Sequence, residues 1–173
     1  MNQTQVVEAL AVERLVLRRA GDADAESLSG MLGGLPDLSL YMRFQTAIGK
    51  PPRPGLIQQM LCPNGAAWVA ERDCEVVGHA MWAWVKDTTV PTAELALIIA
   101  ESEQRRGLGV RMMSEAAQHA LTAGAAQFLV MVSAMNDKVL RMVRRRWPTA
   151  RAEREGALLN FTIPAADFFS AVN

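Results

Sequence analysis

The sequence predicts a mixed α/β protein of the α+β type, with one central sheet in a single domain. The chain has 173 residues, which is the size of one domain. Half of the residues are hydrophobic and 21% are charged, a balance that supports a buried core and excludes a disordered chain. The spacing of apolar residues changes along the chain from alternation to helical periodicity and back, which predicts strands and helices packed on one sheet.

The first third of the chain combines one strand with helices. Residues 1–12 are predicted as a lead-in, and residues 13–19 alternate as a strand. Asp22 and Asp24 offer N-cap chemistry for a helix that runs through about Leu32. Glycines and prolines separate the later helices, which are predicted at residues 38–47 and 55–61.

The middle and the end of the chain supply the other strands. Two apolar runs flank Asp73-Cys74 and predict a hairpin, and a third run rich in Leu and Ile predicts a strand buried on both faces. Phe168 and Phe169 near the end of the chain are expected to dock as a short turn. The predicted strands are residues 66–72, 75–85, 93–100, 127–132, 151–154 and 157–163, and the predicted helices are residues 107–123 and 136–146.

The longest predicted helix, over residues 107–123, is amphipathic. Its apolar residues recur at the helical period, so one face is expected to pack on the sheet while the opposite face meets solvent. The residues expected on the buried face are Val110, Met113, Ala117, Ala120 and Leu121.

Charge and composition exclude several classes of function. Lys and Arg together number 18, as do Asp and Glu, so neither nucleic acid nor an anionic membrane is an expected partner. The apolar runs are too short to cross a bilayer, and the first residues form no secretory signal, which predicts a cytoplasmic protein. Cys62 and Cys74 stand in no metal-binding or disulfide pattern. His79 and His119 lack ligand spacing, and His79 is expected to be structural.

The most informative segment is the polar loop that precedes the predicted helix over residues 107–123. Gly107 and Gly109 open that helix, and Arg105 and Arg106 stand just before them. The first turn of a helix has amide groups without intrahelical partners and a dipole that favours anions. The loop lacks the lysine of a P-loop and the third glycine of a dinucleotide-binding turn. The sequence therefore predicts a phosphate site of another kind.

The loop resembles a known family signature. The segment Gln104-Arg105-Arg106-Gly107-Leu108-Gly109 is similar to the Q/R-x-x-G-x-G/A motif of the GCN5-related N-acetyltransferases (GNAT), and the predicted element order also resembles their fold. The resemblance implies a domain over residues 13–163 with a tail over residues 164–173. It implies a mostly antiparallel sheet splayed between its fourth and fifth strands, with acetyl-CoA as the co-substrate and no metal.

The resemblance also implies how acetyl-CoA is bound. The pantetheine arm is expected to pair with the exposed backbone of the central strand, as an added strand would. The amides of the first helical turn are expected to hold the diphosphate, and an asparagine that opens the next helix is expected to contact the cofactor. The residues implied in cofactor binding are Leu97, Ile98, Ile99, Gln104, Arg105, Arg106, Gly107, Leu108, Gly109, Val110 and Asn136.

Glu94 is the predicted general base. A lysine-like amine has a pKa of about 10.4, so it must lose a proton before it can attack a thioester at neutral pH. Glu94 stands near the start of the strand that is expected to splay. The resemblance to bacterial protein-lysine acetyltransferases, which carry Ala-Glu at this point, implies the same role here. A solvated glutamate at a strand edge is the alternative.

The helix predicted over residues 38–47 supplies candidates for the acceptor side. Its segment Leu38-Ser39-Leu40-Tyr41-Met42-Arg43-Phe44 is partly similar to a stretch of the bacterial protein-lysine acetyltransferases. Tyr41 and Arg43 are therefore expected to bind the acceptor, together with Trp82 from an aromatic-rich strand. The alternative is that Tyr41 and Phe44 anchor the helix in the core.

Two departures from the family pattern leave the chemistry open. The tyrosine that reprotonates the leaving thiolate in many members corresponds to Val143, and a glutamate used by ribosomal N-terminal acetyltransferases corresponds to Met131. The predicted function is transfer of an acetyl group to a primary amine, with a protein lysine favoured, in a monomer or homodimer. A small-molecule amine acetyltransferase and a non-catalytic acyl-CoA-binding regulatory domain are the alternatives.

Overall fold

A seven-stranded sheet forms the centre of the protein. The computed structural model describes residues 15–170, and the strand order across the sheet is β1-β2-β3-β4-β5-β7-β6. The strands are β1 Leu15–Arg19, β2 Gly65–Arg72, β3 Glu75–Trp84, β4 Thr92–Ile99, β5 Gln127–Ser133, β6 Arg151–Glu155 and β7 Leu158–Pro164. In the described residues the helices are α1 Ala25–Gly34, α2 Asp37–Phe44, α3 Pro54–Leu61, α4 Leu108–Thr122, α5 Asp137–Arg146 and α6 Ala165–Ser170.

The predicted fold class is confirmed. Every strand pair in the sheet is antiparallel except β4 with β5, which run parallel. Residue Gln45 has a φ of 55° and ends α2 three residues earlier than the periodicity predicts, because the left-handed conformation stops the helix. The predicted lead-in over residues 1–12, the first two residues of the predicted strand and residues 171–173 of the predicted tail lie outside the described residues.

The helices cover the sheet on its two faces and create two apolar layers. Helices α1, α2 and α3 pack on one face, where Leu28 and Leu32 contact Val69 and Ile98 of the sheet. Helix α4 packs on the opposite face with α5 and α6, over Trp82 and the aromatic residues of β5 and β7. The alternation of side chains along each strand thus assigns each strand residue to one layer or the other.

The buried face of the long helix α4 matches the expected one only in part: Ala117 and Ala120 are buried as predicted, but the two outermost predicted residues are not. Val110 is 46% exposed and Leu121 is 37% exposed, so the prediction that they face the sheet was wrong. Leu108 and Met112 take the buried positions instead, because they pack against small residues of the sheet. A Cβ on Gly78 of β3 would lie only 2.9 Å from the Met112 sulphur, which shows how closely the helix approaches. The other fully buried residues of α4 are Ala116, Ala117 and Ala120.

Strands β4 and β5 pair over only part of their length. Their parallel register runs from Thr92↔Gln127 to Leu95↔Val130. Beyond those residues β4 continues in register with β3 as far as Ile99, and β5 continues with β7 as far as Ser133. The two strands therefore diverge, and the sheet opens between its fourth and fifth strands as the resemblance implies.

Helix α6 at the end of the described chain is part of the core. Phe168 is 1% exposed and stacks on Trp147, with ring centroids 4.7 Å apart and an interplanar angle of 20°. The Trp147 indole nitrogen Nε1 donates a hydrogen bond of 3.2 Å to the carbonyl of Phe168. Phe128 of β5 contacts the same phenylalanine edge to face at 4.7 Å. The helix thus closes the apolar layer on the α4 face.

We expect Phe168→Ala to lower the free energy of unfolding by about 3–5 kcal/mol, because it empties a buried aromatic site that three rings share. Urea unfolding followed by circular dichroism measures the change. Ser170→Ala, at an exposed position on the same helix, is the control and should change stability by about 0.5 kcal/mol or less. A Phe168→Ala protein as stable as the control would contradict this packing.

Candidate active site

Helix α4 begins with free backbone donors at the end of β4. Its N-cap is Gly107, which has no side chain to accept a hydrogen bond from the first turn. The first intrahelical hydrogen bond runs from the Arg111 amide to the Gly107 carbonyl and is 3.1 Å long. The amides of Leu108, Gly109 and Val110 therefore precede the helical ladder, and with the dipole of a 15-residue helix they form a site for an anion.

The two positions of this turn are glycine for different structural reasons. Gly107 has a φ of 79°, a left-handed conformation that side chains rarely adopt. A Cβ on Gly109 would lie 3.2 Å from Leu97 Cδ2 and 3.3 Å from Ile99 Cδ1, so this glycine lets α4 approach β4 closely. Close packing against the strand, and not only room for a phosphate, thus explains the second glycine.

A buried ion pair, which the sequence does not reveal, anchors the loop before α4. Glu103 is 4% exposed, and its carboxylate accepts two hydrogen bonds from the Arg72 guanidinium of β2, at 2.9 and 3.0 Å. Arg106 approaches the same carboxylate at 3.9 Å. The only sequence signal for this anchor is the three-residue spacing of Glu103 and Arg106, which does not identify the partner on β2.

The other predicted loop residues surround the free amides of α4. Gln104 is exposed, and its side-chain nitrogen Nε2 donates a 3.3 Å hydrogen bond to the Ile99 carbonyl. Arg105 and Arg106 are exposed, and Arg105 takes a left-handed φ of 64°. Two cationic side chains thus stand in solvent beside the anion site, where they can add charged donors.

The backbone of β4 borders the opening of the sheet. Leu97, Ile98 and Ile99 lie beyond the last β4–β5 pair, so the side of their backbone that faces β5 has no ladder partner within the described residues. Across the opening, Asn136 caps α5, and its Oδ1 accepts a 3.2 Å hydrogen bond from the Val139 amide. The loop, the strand edge and the start of α5 thus border one opening.

Glu94 lies where the two strands begin to separate. It is paired with Ala83 of β3 and Leu129 of β5, one residue before the last β4–β5 pair. Its side chain is half-buried on the face that α2 covers. Burial raises the pKa of the Glu94 carboxyl above its ordinary value, and the positive charge of Arg43 on α2 partly counteracts this effect. A carboxylate with a raised pKa is a stronger base than an ordinary one, which suits it to accept a proton from an amine.

His79 lies on the same face of the sheet and is fully buried. Its Nε2 donates a 3.0 Å hydrogen bond to the Met60 carbonyl, and its Nδ1 has no hydrogen-bond partner. Burial lowers the pKa of His79 to about 4, and the charge of Arg43 adds to the effect, while the bond to Met60 opposes it. The ring is therefore neutral at physiological pH, in agreement with the structural role expected for it.

The three residues predicted to bind the acceptor do not lie together. Tyr41 is exposed on α2. Arg43 lies on the same helix, close enough to Glu94 for their charges to interact. Trp82 faces the other way, into the layer under α4, where it is 2% exposed and its Nε1 donates a 3.1 Å hydrogen bond to His119 Nδ1. The sheet thus separates Trp82 from the face on which Glu94 lies.

The arrangement has the chemistry that an acyl-transfer site for a thioester cofactor needs. A helix N-terminus can accept a diphosphate, an unpaired strand edge can pair with an extended amide-bearing arm, and a half-buried carboxylate lies where β4 and β5 separate. In the described residues, no group of three or more His, Cys, Asp or Glu side chains is placed to hold a metal ion. Over the same residues, no helix has the length and apolar character needed to span a bilayer.

Comparison with protein families identifies the class more closely. Residues 38–146, more than half of the chain, match the model of the acetyltransferase (GNAT) family. The chain belongs to this family, and it is an acetyl-CoA-dependent N-acetyltransferase. The family prediction from the loop motif is therefore confirmed. A comparison with curated protein sequences gave no match.

Solved structures with the same fold are numerous and distant in sequence. The GNAT domain of PAT from S. lividans superposes with a TM-score of 0.75 at 18% identity, covering 88% of this chain and 96% of that one. yncA from Salmonella typhimurium, with its cofactor acetyl-CoA, gives 0.65 at 14% identity and covers 88% and 94%. A ribosomal-protein-alanine N-acetyltransferase from Brucella melitensis gives 0.66 at 18% identity and covers 87% and 99%. At these identities the likeness shows the fold.

We expect Val110→Pro to weaken coenzyme A binding by about tenfold or more, because proline deletes one amide donor of the first turn. Helix α4 should persist, since that amide precedes the intrahelical ladder and the side chain is exposed. Isothermal calorimetry measures the affinity, and circular dichroism checks the helix. Val110→Ala keeps the amide and is the control. Equal affinities for the two variants would mean that this amide does not hold the cofactor.

We expect the free energy of unfolding to fall as the pH drops from 6.5 to about 4. In this range His79 is protonated in the unfolded chain, whereas the folded ring stays neutral because its pKa is lowered to about 4. The stabilisation is complete above pH 6.5, and the loss through this residue is on the order of 3 kcal/mol at the acid end of the range. Denaturant unfolding of the wild type and of His79→Leu across this range isolates the contribution. Parallel pH curves for the two proteins would refute it.

Proposed function

We propose that the protein transfers the acetyl group of acetyl-CoA directly to a primary amine, with Glu94 as the general base. The observation that supports this proposal most is the position of Glu94 at the fork between β4 and β5. The carboxylate stands at the last residues of β4 that pair with β5, and the strand edge suited to the pantetheine arm begins just beyond it. An acyl thioester in the opening and an amine on the α2 side would therefore both be near Glu94.

The chain's own groups would perform the proton transfer and hold the cofactor. Acetyl-CoA, when bound, supplies the thioester that the amine attacks. Leu97, Ile98 and Ile99 would align its arm, and the amides of Leu108 to Val110 would hold its diphosphate. Glu94 would accept the proton of the attacking amine, directly or through one water, as the carbon–nitrogen bond forms and the carbon–sulphur bond breaks.

Return of a proton to the coenzyme A thiolate would come from solvent. The position where many family members carry a tyrosine is Val143 here, and its side chain is buried in the core on α5. Tyr41, the one tyrosine of the sequence, lies on α2 on the acceptor side. A thiol is acidic enough to leave as a thiolate, so a dedicated acid is not required for turnover.

A protein lysine is the acceptor that we place first among primary amines. Its support is the partial resemblance of the α2 segment to bacterial protein-lysine acetyltransferases and the exposure of Tyr41 on that helix. A small-molecule amine is the second acceptor class. A panel of lysine peptides and small amines, read by thiol release, separates these two.

We expect Glu94→Gln to lower kcat/KM for amines by about 10²–10⁴-fold at neutral pH, because the variant cannot accept the amine proton. The affinity for coenzyme A should stay near the wild-type value. In the wild type, activity should fall as the pH drops through the raised pKa of Glu94, since only the ionised carboxyl acts as a base.

Glu101→Gln is the matched control for this substitution. Glu101 is an exposed glutamate in the short turn after β4, so it should keep both activity and cofactor affinity. Wild-type turnover by Glu94→Gln would refute the base assignment. Binding of acetyl-CoA by the wild type with no turnover on any amine would contradict the proposed transfer to a primary amine.

A further inference from the structure

Arg43 is a charged side chain on the acceptor side, and one of its hydrogen-bond donors has no acceptor. It lies in the last turn of α2, and its Nε is buried with no hydrogen-bond partner. Its guanidinium carbon lies 5.0 Å from the centroid of the Phe44 ring, so an aromatic face covers one side of the cation. A buried guanidinium nitrogen without an acceptor is costly, because its desolvation is not offset by a bond.

Two other arginines are paired with carboxylates. Arg72, which is half-buried, donates two hydrogen bonds to Glu103, and the exposed Arg18 donates to both Asp24 and Glu71. Arg43 differs from them in geometry. Among the described residues, no ion pair shorter than 4 Å joins Arg43 to Glu94, although the two charges interact electrostatically.

Arg43 lies near the place where the amine would react. Helix α2 covers the face of the sheet on which Glu94 lies, and α2 contacts β5 beside the fork. An amine that gives its proton to Glu94 would therefore place its nearer substituents within the field of Arg43. A planar guanidinium matches a carboxylate in shape and charge.

We propose that Arg43 binds a carboxylate carried by the acceptor, so that the preferred acceptor is an amine with a carboxylate a short spacer away. This inference rests on the proposed function, because it takes Glu94 as the place where the amine reacts. Two sources would present the same chemistry: a free amino acid, or a peptide in which an acidic side chain neighbours the target lysine.

The test compares acceptors that differ only in the carboxylate. Glycine, β-alanine and γ-aminobutyrate are each assayed beside their carboxamides, and blocked Asp-Lys and Glu-Lys dipeptides are assayed beside Asn-Lys and Gln-Lys. The wild type should prefer at least one carboxylate member by about tenfold or more in kcat/KM. The pair that shows the preference identifies the source.

Arg43→Met should remove that preference, while Arg43→Lys, which keeps the charge, should retain part of it. The ratio of preferences between wild type and variant cancels differences in the basicity of the amines. Arg141→Met, on an exposed face of α5, is the control and should keep the preference. The loss of preference should appear as a higher KM for the carboxylate acceptors. Because Arg43 also affects the pKa of Glu94, the acid limb of the pH profile should shift by the same amount for both members of a pair.

Two results would overturn this assignment. One is a wild type with no preference for any carboxylate member, and the other is an Arg43→Met protein that loses activity equally on both members of each pair. If no amine is acetylated, the proposed function is contradicted, but the role of Arg43 can still be tested by binding. Calorimetric binding of the same acceptors to the coenzyme A complex then decides: weaker carboxylate binding in Arg43→Met supports the role, and unchanged binding refutes it.

Discussion

The structure depends on the early end of the pairing between β4 and β5. After Leu95 and Val130 the two strands follow different neighbours, and the backbone edge of β4 is left without a partner in the sheet. Unpaired backbone groups are costly in a protein interior, so this edge requires an extended ligand or solvent. In the proposed function, the fork sets where the cofactor arm lies, with Glu94 beside it.

The two sides of the fork present different chemistry. On the side proposed for the cofactor, the available groups are mostly main-chain amides, which a helix start and a strand edge supply with no charge to bury. On the acceptor side, the groups are the charged side chains of Glu94 and Arg43, both partly removed from water. Burial raises the pKa of Glu94, and the nearby arginine limits this rise. In the proposed function, cofactor binding and proton transfer thus use separate parts of the chain.

The loop before α4 shows how the fold keeps the anion site in place. The Arg72–Glu103 pair connects this loop to β2, and Gly109 lets the helix rest directly on Leu97 and Ile99. Both contacts restrict the direction in which the free amides point. A diphosphate that binds there would meet donors already oriented, which lowers the entropic cost of binding.

The sequence predicts the elements, the family and the loop motif, because each depends on local spacing. The glycines that open α4 and the carboxylate at Glu94 are recognisable without coordinates for the same reason. What the sequence does not predict depends on contacts across the fold. Alternation alone does not say which face of β3 carries Trp82, since a register shift near Ala70 and Glu71 interrupts the β2–β3 pairing.

Tertiary packing also decides three other features that local patterns miss. The buried face of α4 follows from the close approach of Met112 to Gly78, and helical periodicity alone favoured Val110 and Leu121. The pair between Arg72 and Glu103 joins residues far apart in the sequence, so no short motif contains it. The unused donor of Arg43 likewise becomes visible only when every neighbour of its side chain is known.

A crystal structure of the protein with coenzyme A tests the central claim most directly. The account predicts diphosphate oxygens within hydrogen-bonding distance, about 3.2 Å or less, of the amide nitrogens of Leu108, Gly109 and Val110. It also predicts the pantetheine arm along Leu97 to Ile99, in the opening between β4 and β5. A bound coenzyme A whose diphosphate lies elsewhere, with the fork still open, would contradict the account.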